Sequence, residues 1–342
     1  MDVVRTVLGD VEAGVIGPTL IHEHVLFDIV PPGAQGDPGA DITPRDRWQI
    51  DYRSNEVPAN AHQRNGTIAA AELSLFAADG GSLIVDQSVA GLARDAKGLA
   101  QAARESGVHV VAAAGTYTAP FLDPTTAALG AEALADRFTN EVTTGVDGTD
   151  IRAGLIGEIG CSWPLEDVER RALRAAATAQ RRTGAAISVH PGRHETACAE
   201  ILDILEEAGA DLSRVILCHM DRTHPDGVGI APLLDRGAAV EWDFFGIEQS
   251  HYWMAADIEL PTDLGRLRLI HEFADAGHAD RILISQDICT KTRMRHWGGH
   301  GYGHILRNVR PLMARRGFSE ALIEALLRNN PLRYLTLRET PT

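Results

Sequence analysis

Eight times along its length this chain alternates a short apolar, β-branched segment with a longer amphipathic one, and that rhythm restricts its fold more than any other feature. The short segments fall at 19–25, 82–87, 109–114, 153–159, 186–190, 215–219, 239–243 and 282–287. Between them run stretches rich in Ala, Leu, Glu and Arg with helical spacing, for example 168–180, 197–208 and 264–274. Glycine closes several of these just before the next strand, Gly107 and Gly184 among them, as a left-handed cap at a helix end requires. An open doubly wound sheet would have fewer strands and a glycine-rich phosphate turn after the first, and no Gly-x-Gly-x-x-Gly stands there. The expected fold is a (β/α)8 TIM barrel, one domain over residues 1–342.

Two connections are long for this architecture, 28–60, rich in Pro and Gly, and 288–303. Both follow strands, so both belong to the face where such barrels keep their chemistry. The formal charge of -15 offers no basic surface to offset a phosphate backbone, which argues against a nucleic-acid partner. The N-terminal residues lack the apolar core of a signal peptide, and no uncharged apolar run has membrane-spanning length. The expectation is a soluble, cytoplasmic protein acting on a small molecule, with no membrane partner; a homodimer is compatible with such a chain. Cys161, Cys198, Cys218 and Cys289 are far apart, without a Cys-x-x-Cys pair, and read as small buried thiols.

His22 and His24 lie two residues apart on the first strand, where alternate side chains share a face, so both imidazoles enter the barrel mouth together. Alone, such a pair is weak among fourteen histidines. Four more candidates raise its standing: Glu158 near the end of the fourth strand, His190 ending the fifth, His219 the sixth and Asp287 the eighth. Chemistry-bearing residues at five strand ends on one rim are hard to ascribe to capping alone. Four imidazoles and two carboxylates suffice for two divalent ions, with His22, His24 and Asp287 on one, His190 and His219 on the other, and Glu158 bridging. Such a pair lowers the pKa of a shared water and stabilises an oxyanion, and Asp287 is placed to orient that nucleophile and take its proton. The mixed nitrogen and oxygen set favours Zn2+, with Mn2+, Fe2+ or Co2+ also admissible.

With those residues in place, the chain resembles the phosphotriesterase family of the amidohydrolase superfamily, and within it the phosphotriesterase-related subgroup. The resemblance spans essentially the whole chain and rests on Thr19-Leu-Ile-His-Glu-His24, Gly157-Glu-Ile-Gly-Cys-Ser-Trp-Pro-Leu165, His190-Pro-Gly-Arg193, His219-Met-Asp-Arg-Thr223, Glu241-Trp-Asp-Phe-Phe-Gly246 and Gly298-Gly-His-Gly-Tyr-Gly-His304. It implies a binuclear, usually zinc, hydrolase. Founding members bridge their metals with a carboxylated lysine, whereas this chain looks like the subgroup that uses a glutamate, here Glu158. Organophosphate hydrolysers have an Asp three residues after the sixth-strand histidine and a His ending the seventh strand; Arg222 and Phe244 stand there instead. That shifts expectation from phosphotriesters toward an acyl centre, because animal members of the similar subgroup cleave N-acetyltaurine and other relatives open lactones. Arg193, Arg222, Lys291 and Arg293 are candidates to hold an anionic substrate tail, with Arg222 foremost for its guanidinium fork and counted with Asp287 in the catalytic set. His251, Tyr252, Trp297 and Tyr302 are candidate pocket walls. The competing expectations are a lactonase or esterase, a phosphotriesterase, and a protein that binds a small ligand without turnover.

Overall fold

The computed structural model describes residues 2–248, 252 and 254–337. Its centre is a parallel sheet of eight strands: β1 (Thr19–Glu23), β2 (Leu83–Asp86), β3 (His109–Ala114), β4 (Leu155–Gly160), β5 (Ile187–His190), β6 (Val215–Leu217), β7 (Ala239–Trp242) and β8 (Ile282–Ile284). Each strand pairs with the next in sequence. The sheet closes through Asp287 N–H, which donates to the His22 carbonyl at 3.1 Å, and through Ser285 Oγ, which accepts from His22 N–H at 3.0 Å. The (β/α)8 barrel expected from the sequence is the fold found.

The eight expected segments coincide with the eight strands, but several end earlier than expected. β6 stops at Leu217 and β8 at Ile284, so His219 and Asp287 lie just past the ladder. Both occupy the left-handed region, at φ 59° and 47°, where a non-glycine residue is strained. The chain leaves strand geometry there to turn these side chains over the barrel mouth. Two irregularities act similarly inside the ladder: register shifts between Leu20 and Glu23 and between Ile156 and Ile159 re-aim His22 and Glu158.

Helices α1 (Gly66–Ala78), α2 (Ala96–Ser106), α3 (Ala131–Thr143), α4 (Asp167–Thr183), α5 (Ala197–Glu207), α6 (Ile230–Asp235) and α7 (Asp263–Phe273) lie between strands. Their apolar faces cover the outside of the sheet in one continuous core with residues such as Leu73, Leu99, Phe138, Leu173 and Ile201. α4 begins where Glu169 accepts the Glu166 N–H at 3.0 Å and ends at Gly184 in left-handed conformation. A second cluster fills the barrel, with Ile21, Leu83, Val85, Val111, Leu155, Ile216 and Leu283. It continues onto Val4 and onto Tyr334 and Leu335, so an N-terminal hairpin, Val3–Thr6 with Gly9–Glu12, and a C-terminal helix close the floor. The rhythm of the sequence gives no sign of that hairpin, because it stands outside the repeated unit. Among the described residues no helix is long and apolar enough to cross a membrane.

The two long loops are stitched together over the opposite end. Asn60 accepts from Lys291 N–H through its carbonyl at 2.9 Å and from Thr292 N–H through Oδ1 at 2.9 Å, while Arg47 donates to the Trp297 carbonyl at 2.9 Å.

Candidate metal centre and substrate cavity

Glu158 stands at the middle of the barrel mouth because the chain before it passes close to β5. A Cβ at Gly157, whose φ is +118°, would lie 2.0 Å from the Ser188 carbonyl oxygen, so only glycine fits there. The carboxylate then reaches in both directions. Its Oε1 is 3.5 Å from His24 Nε2, and its Oε2 is 3.7 Å from His22 Nε2, 2.8 Å from His190 Nδ1 and 3.4 Å from His219 Nε2. Asp287 Oδ1 closes the figure, 3.3 Å from His24 Nε2 and 3.8 Å from His22 Nε2. All six residues are buried. The six side chains singled out from the sequence therefore converge, and ligand-sized groups form on either side of Glu158: His22 and His24 with it on one, His190 and His219 with it on the other.

The donor set fits divalent ions. His22 Nε2 is buried and has no hydrogen-bond partner, although Glu158, Asp287, His24 and His219 lie around the ring. Such an atom is costly unless something electrophilic occupies the space before it. The far nitrogens of the imidazoles are held from behind, as ligating histidines require. His24 Nδ1 meets Ser88 Oγ at 3.0 Å, His219 Nδ1 meets Asp243 Oδ1 at 2.8 Å, and His22 Nδ1 meets Glu241 Oε2 at 3.4 Å. Glu23, between the two strand-one histidines, faces away and accepts from Ser285 Oγ, Gln286 N–H and Ile288 N–H at 2.8–2.9 Å, fixing the turn that carries Asp287.

Charge in the cluster is set by burial against close partners. Burial would raise the Glu158 carboxyl, but hydrogen bonds from His190, His219 and His24 hold it well below its usual range. Asp287 is held low in the same way by His24, His22 and His219 against the effect of burial. Burial depresses His190 to about 3, Glu158 opposing and His219 and Arg222 reinforcing, so its ring is neutral. His24 goes the other way, to about 10, because hydrogen bonds with Asp287 and Glu158 outweigh burial.

Above the cluster opens a cavity of about 490 Å3, with His24, Glu158, His190, His219 and Asp287 on its floor. Among the candidate substrate residues, Arg193, Arg222 and Tyr252 line it. Arg222 is 1% exposed; its guanidinium donates to the Pro191 carbonyl at 2.8 Å and lies 3.0 Å from His190 Nε2. Arg193 donates to Tyr252 Oη at 2.8 Å. No carboxylate among the described residues forms an ion pair with either arginine. Burial and the neighbouring charge of Arg193 accordingly lower the Arg222 pKa.

The other candidates lie off the cavity. Arg293 donates to the carbonyls of Asp287 at 2.6 Å, Phe245 at 3.0 Å and Gln286, so it clamps the loops after β7 and β8 and has no free edge for an anion. Lys291 Nζ sits 5.4 Å from the centre of the Trp297 ring, in the stitch between the long loops. Tyr302 is buried behind β1, its hydroxyl donating to the His24 carbonyl at 2.7 Å. Spacing alone cannot distinguish a loop side chain that points into the mouth from one that anchors the loop. His251 lies outside the described residues.

Sequence reasoning missed Glu241, Asp243 and Ser88 behind the metal ligands, and the wall residues Tyr117 and Phe121. Asp243 had a signal, an acid at a strand end like Asp287. Tyr117, whose ring centre lies 5.1 Å from those of both His190 and Phe121, had none.

An eight-stranded barrel with this histidine and carboxylate cluster at the C-terminal rim is the framework of a metal-dependent hydrolase. Residues 2–335 match the phosphotriesterase family, and the chain belongs to that family, whose members carry two metals. It is 40% identical over 342 residues to the N-acetyltaurine hydrolase of Homo sapiens, covering 98% of each chain. Among solved structures it is similar to a resiniferatoxin-binding protein from Rhodobacter sphaeroides, with 36% identity, TM-score 0.91 and coverage of 98% of this chain and 95% of that one. It is also similar to the phosphotriesterase homology protein from Escherichia coli, crystallised with phosphate in its active site, with 27% identity, TM-score 0.76 and coverage of 94% and 99%.

Proposed function

We propose that this hydrolase cleaves an N-acyl amide whose amine portion ends in an anionic group, N-acetyltaurine being the reference compound. The observation that carries the reading is the buried Arg222, with Arg193 beside it, facing the cavity without a carboxylate partner among the described residues. A buried unpaired cation is costly, and a sulfonate or carboxylate arriving with the substrate removes that cost. The 40% identity to N-acetyltaurine hydrolases over nearly the whole chain supports the same substrate class. The net charge of -15 and the absence of a membrane-crossing helix among the described residues suit a cytoplasmic enzyme working on small molecules, away from nucleic acid and membranes.

In this reading His22, His24 and Asp287 would hold one divalent ion and His190 and His219 the other, with Glu158 available to both. Zinc matches the mixed donor set. When bound, the ions supply Lewis acidity toward the scissile carbonyl and an acidified water. The residues of the chain do the rest. Arg222 and Arg193 fix the anionic tail, which places the acyl carbon above Glu158. Asp287, held ionised, accepts the proton as the water oxygen bonds to the acyl carbon. As the C–N bond breaks, the same carboxyl returns that proton to the leaving amine, giving a carboxylic acid and an amine, which become carboxylate and ammonium as the acid's proton passes to the amine. Ser88, Asp243 and Glu241 keep the imidazoles oriented through the cycle.

The test is turnover by zinc-loaded protein of N-acetyltaurine, N-acyl amino acids, sugar and acyl-homoserine lactones, and a phosphotriester. Preference for the anionic amides is expected, and a preference for neutral lactones or the phosphotriester would overturn the reading. The apolar cavity walls and the likeness to a resiniferatoxin-binding protein favour a second reading, ligand binding without turnover. Tight binding of such a ligand by protein that hydrolyses none of the panel would establish it.

A further inference from the structure

The cavity is divided by the order of strands around the barrel. Because each strand neighbours the next and β8 closes on β1, the loops after β5 and β6 stand across the mouth from those after β1 and β2. Arg193 follows β5 and Arg222 follows β6. Opposite them, from the loops after β1 and β2, come Ile29, Pro31 and Leu92, and the loop after β3 continues this wall with Phe121 and with Tyr117, which reaches round to His190; among the described residues His24, on the floor, is the one charge-bearing side chain that lines the cavity from those three loops. Ile29 and Leu92 are 7% and 0% exposed, so this arc is a formed wall with little surface in contact with solvent. The histidine and carboxylate cluster lies on the floor between the two arcs. A substrate anchored by its anionic end at the arginines, with its acyl carbon over Glu158, must therefore direct its acyl chain at the apolar arc.

Volume sets the length of that chain. At the ~30 Å3 that a water molecule occupies in the liquid, the cavity of about 490 Å3 has room for roughly 16 non-hydrogen atoms, or about 13 beside two ions and their water, whereas N-acetyltaurine has about ten. An acetyl group would leave the apolar arc unfilled, and an unfilled apolar wall contributes nothing to binding. Resting on the anionic-tail reading above, we infer that the preferred substrates are N-acyl amides with a medium-length apolar acyl group, of about four to six carbons. The arc of Ile29, Leu92, Tyr117 and Phe121 is their acyl pocket.

The experiment is a chain-length series on the zinc-loaded full chain: acetyl-, butanoyl-, hexanoyl-, octanoyl- and dodecanoyltaurine. From acetyl upward kcat/KM should rise about fourfold per added methylene, on the order of a hundredfold by hexanoyl, and then fall at dodecanoyl when the pocket is full. Hexanoate should also raise the Tm of the protein where acetate at the same concentration does not, a binding readout independent of turnover. The Leu92→Trp variant should move the optimum to shorter chains and Phe121→Ala, at the partly exposed edge, to longer ones. A flat or falling series with acetyltaurine as best substrate would overturn the acyl pocket and leave the anionic-tail reading standing. An unmoved optimum in both variants would overturn the assignment of the arc. If no taurine conjugate of any length is cleaved while a neutral lactone is, the anionic-tail reading itself fails and the acyl pocket with it.

Discussion

In the proposed reading Arg222 sets the substrate class. Its guanidinium, beside His190 and without an acid partner among the described residues, suits substrates that bring their own negative charge. Replacing Arg222 by Ala should lower kcat/KM for N-acyl taurines roughly 10–100-fold while changing neutral lactones little, from the ~1.5–3 kcal/mol of a hydrogen bond to a charged group. Equal losses on both classes would mean that the residue serves packing alone. Asp287 predicts differently, since it acts on the proton and not on the tail: Asp287→Asn should cut kcat by about 10²–10⁴ while the substrate still raises the Tm of the protein. A change confined to KM would contradict its place in the chemistry. His24 offers a third readout. With its pKa raised to about 10, it holds a proton at neutral pH that a metal must displace. Loading metal-free protein at pH 7.5 should therefore release protons, measurable by calorimetry in buffers of different ionisation enthalpy; the same heat in every buffer would refute it. At this scale the convergence of the six candidate ligands was legible because each is a histidine or acid at a strand end, a pattern that survives without knowing any distance. Arg293 and Tyr302 were read as substrate contacts and serve instead as anchors, because loop residues of like chemistry differ only in direction.

The strands and their turns are tied together from beneath the site. Asp221 Oδ2 accepts the Asp243 N–H at 2.9 Å and the Phe244 N–H at 3.3 Å, while its other oxygen pairs with the fully buried Arg266 of α7. This one carboxylate locks the turn after β6, the end of β7 and the following helix. Asp221→Ala would leave Arg266 a buried cation with Asp263 at 2.8 Å and the half-exposed Glu248 at 3.9 Å as its remaining acids, and should cost about 3–5 kcal/mol in unfolding free energy, read by denaturant titration. A loss below about 1 kcal/mol would show that water or Asp263 compensates. Elements were the most legible level of this chain, since alternation of two and of 3.6 residues each has its own physical cause. α4 was expected over 168–180 and runs Asp167–Thr183, its ends set by Glu169 and Gly184. The early ends of β6 and β8 were not legible, because the left-handed turns at His219 and Asp287 defy local preference and exist only where the surrounding barrel imposes them.

Taken whole, the molecule is a barrel whose floor is closed by both chain termini and whose mouth is crowded with acids and imidazoles. Stripped of metal, that mouth depends on protons to balance Glu158 and Asp287. The sign follows from His24: its pKa in the folded protein is about 10, above the 6.5 of an ordinary histidine, so its contribution is complete below pH 6.5 and lost as pH rises through 10. The Tm of metal-free protein should accordingly fall between pH 7 and 10, and saturation with zinc should raise the Tm by several degrees, about 4 kcal/mol at a thousandfold excess over Kd. A metal-free Tm that climbs across that range would show that other groups govern it. What the sequence determined by itself is what periodicity and residue chemistry carry: eight strand–helix units, a rim of ligands at their ends, and an acidic surface. Only the tertiary structure decided which side chains face the same space. Glu158 became the shared centre because Gly157 lets β4 approach Ser188, and the arginines came to oppose an apolar arc because closing the sheet brings distant loops across from one another. Those relations depend on contacts between residues far apart in the chain, and local pattern does not encode them.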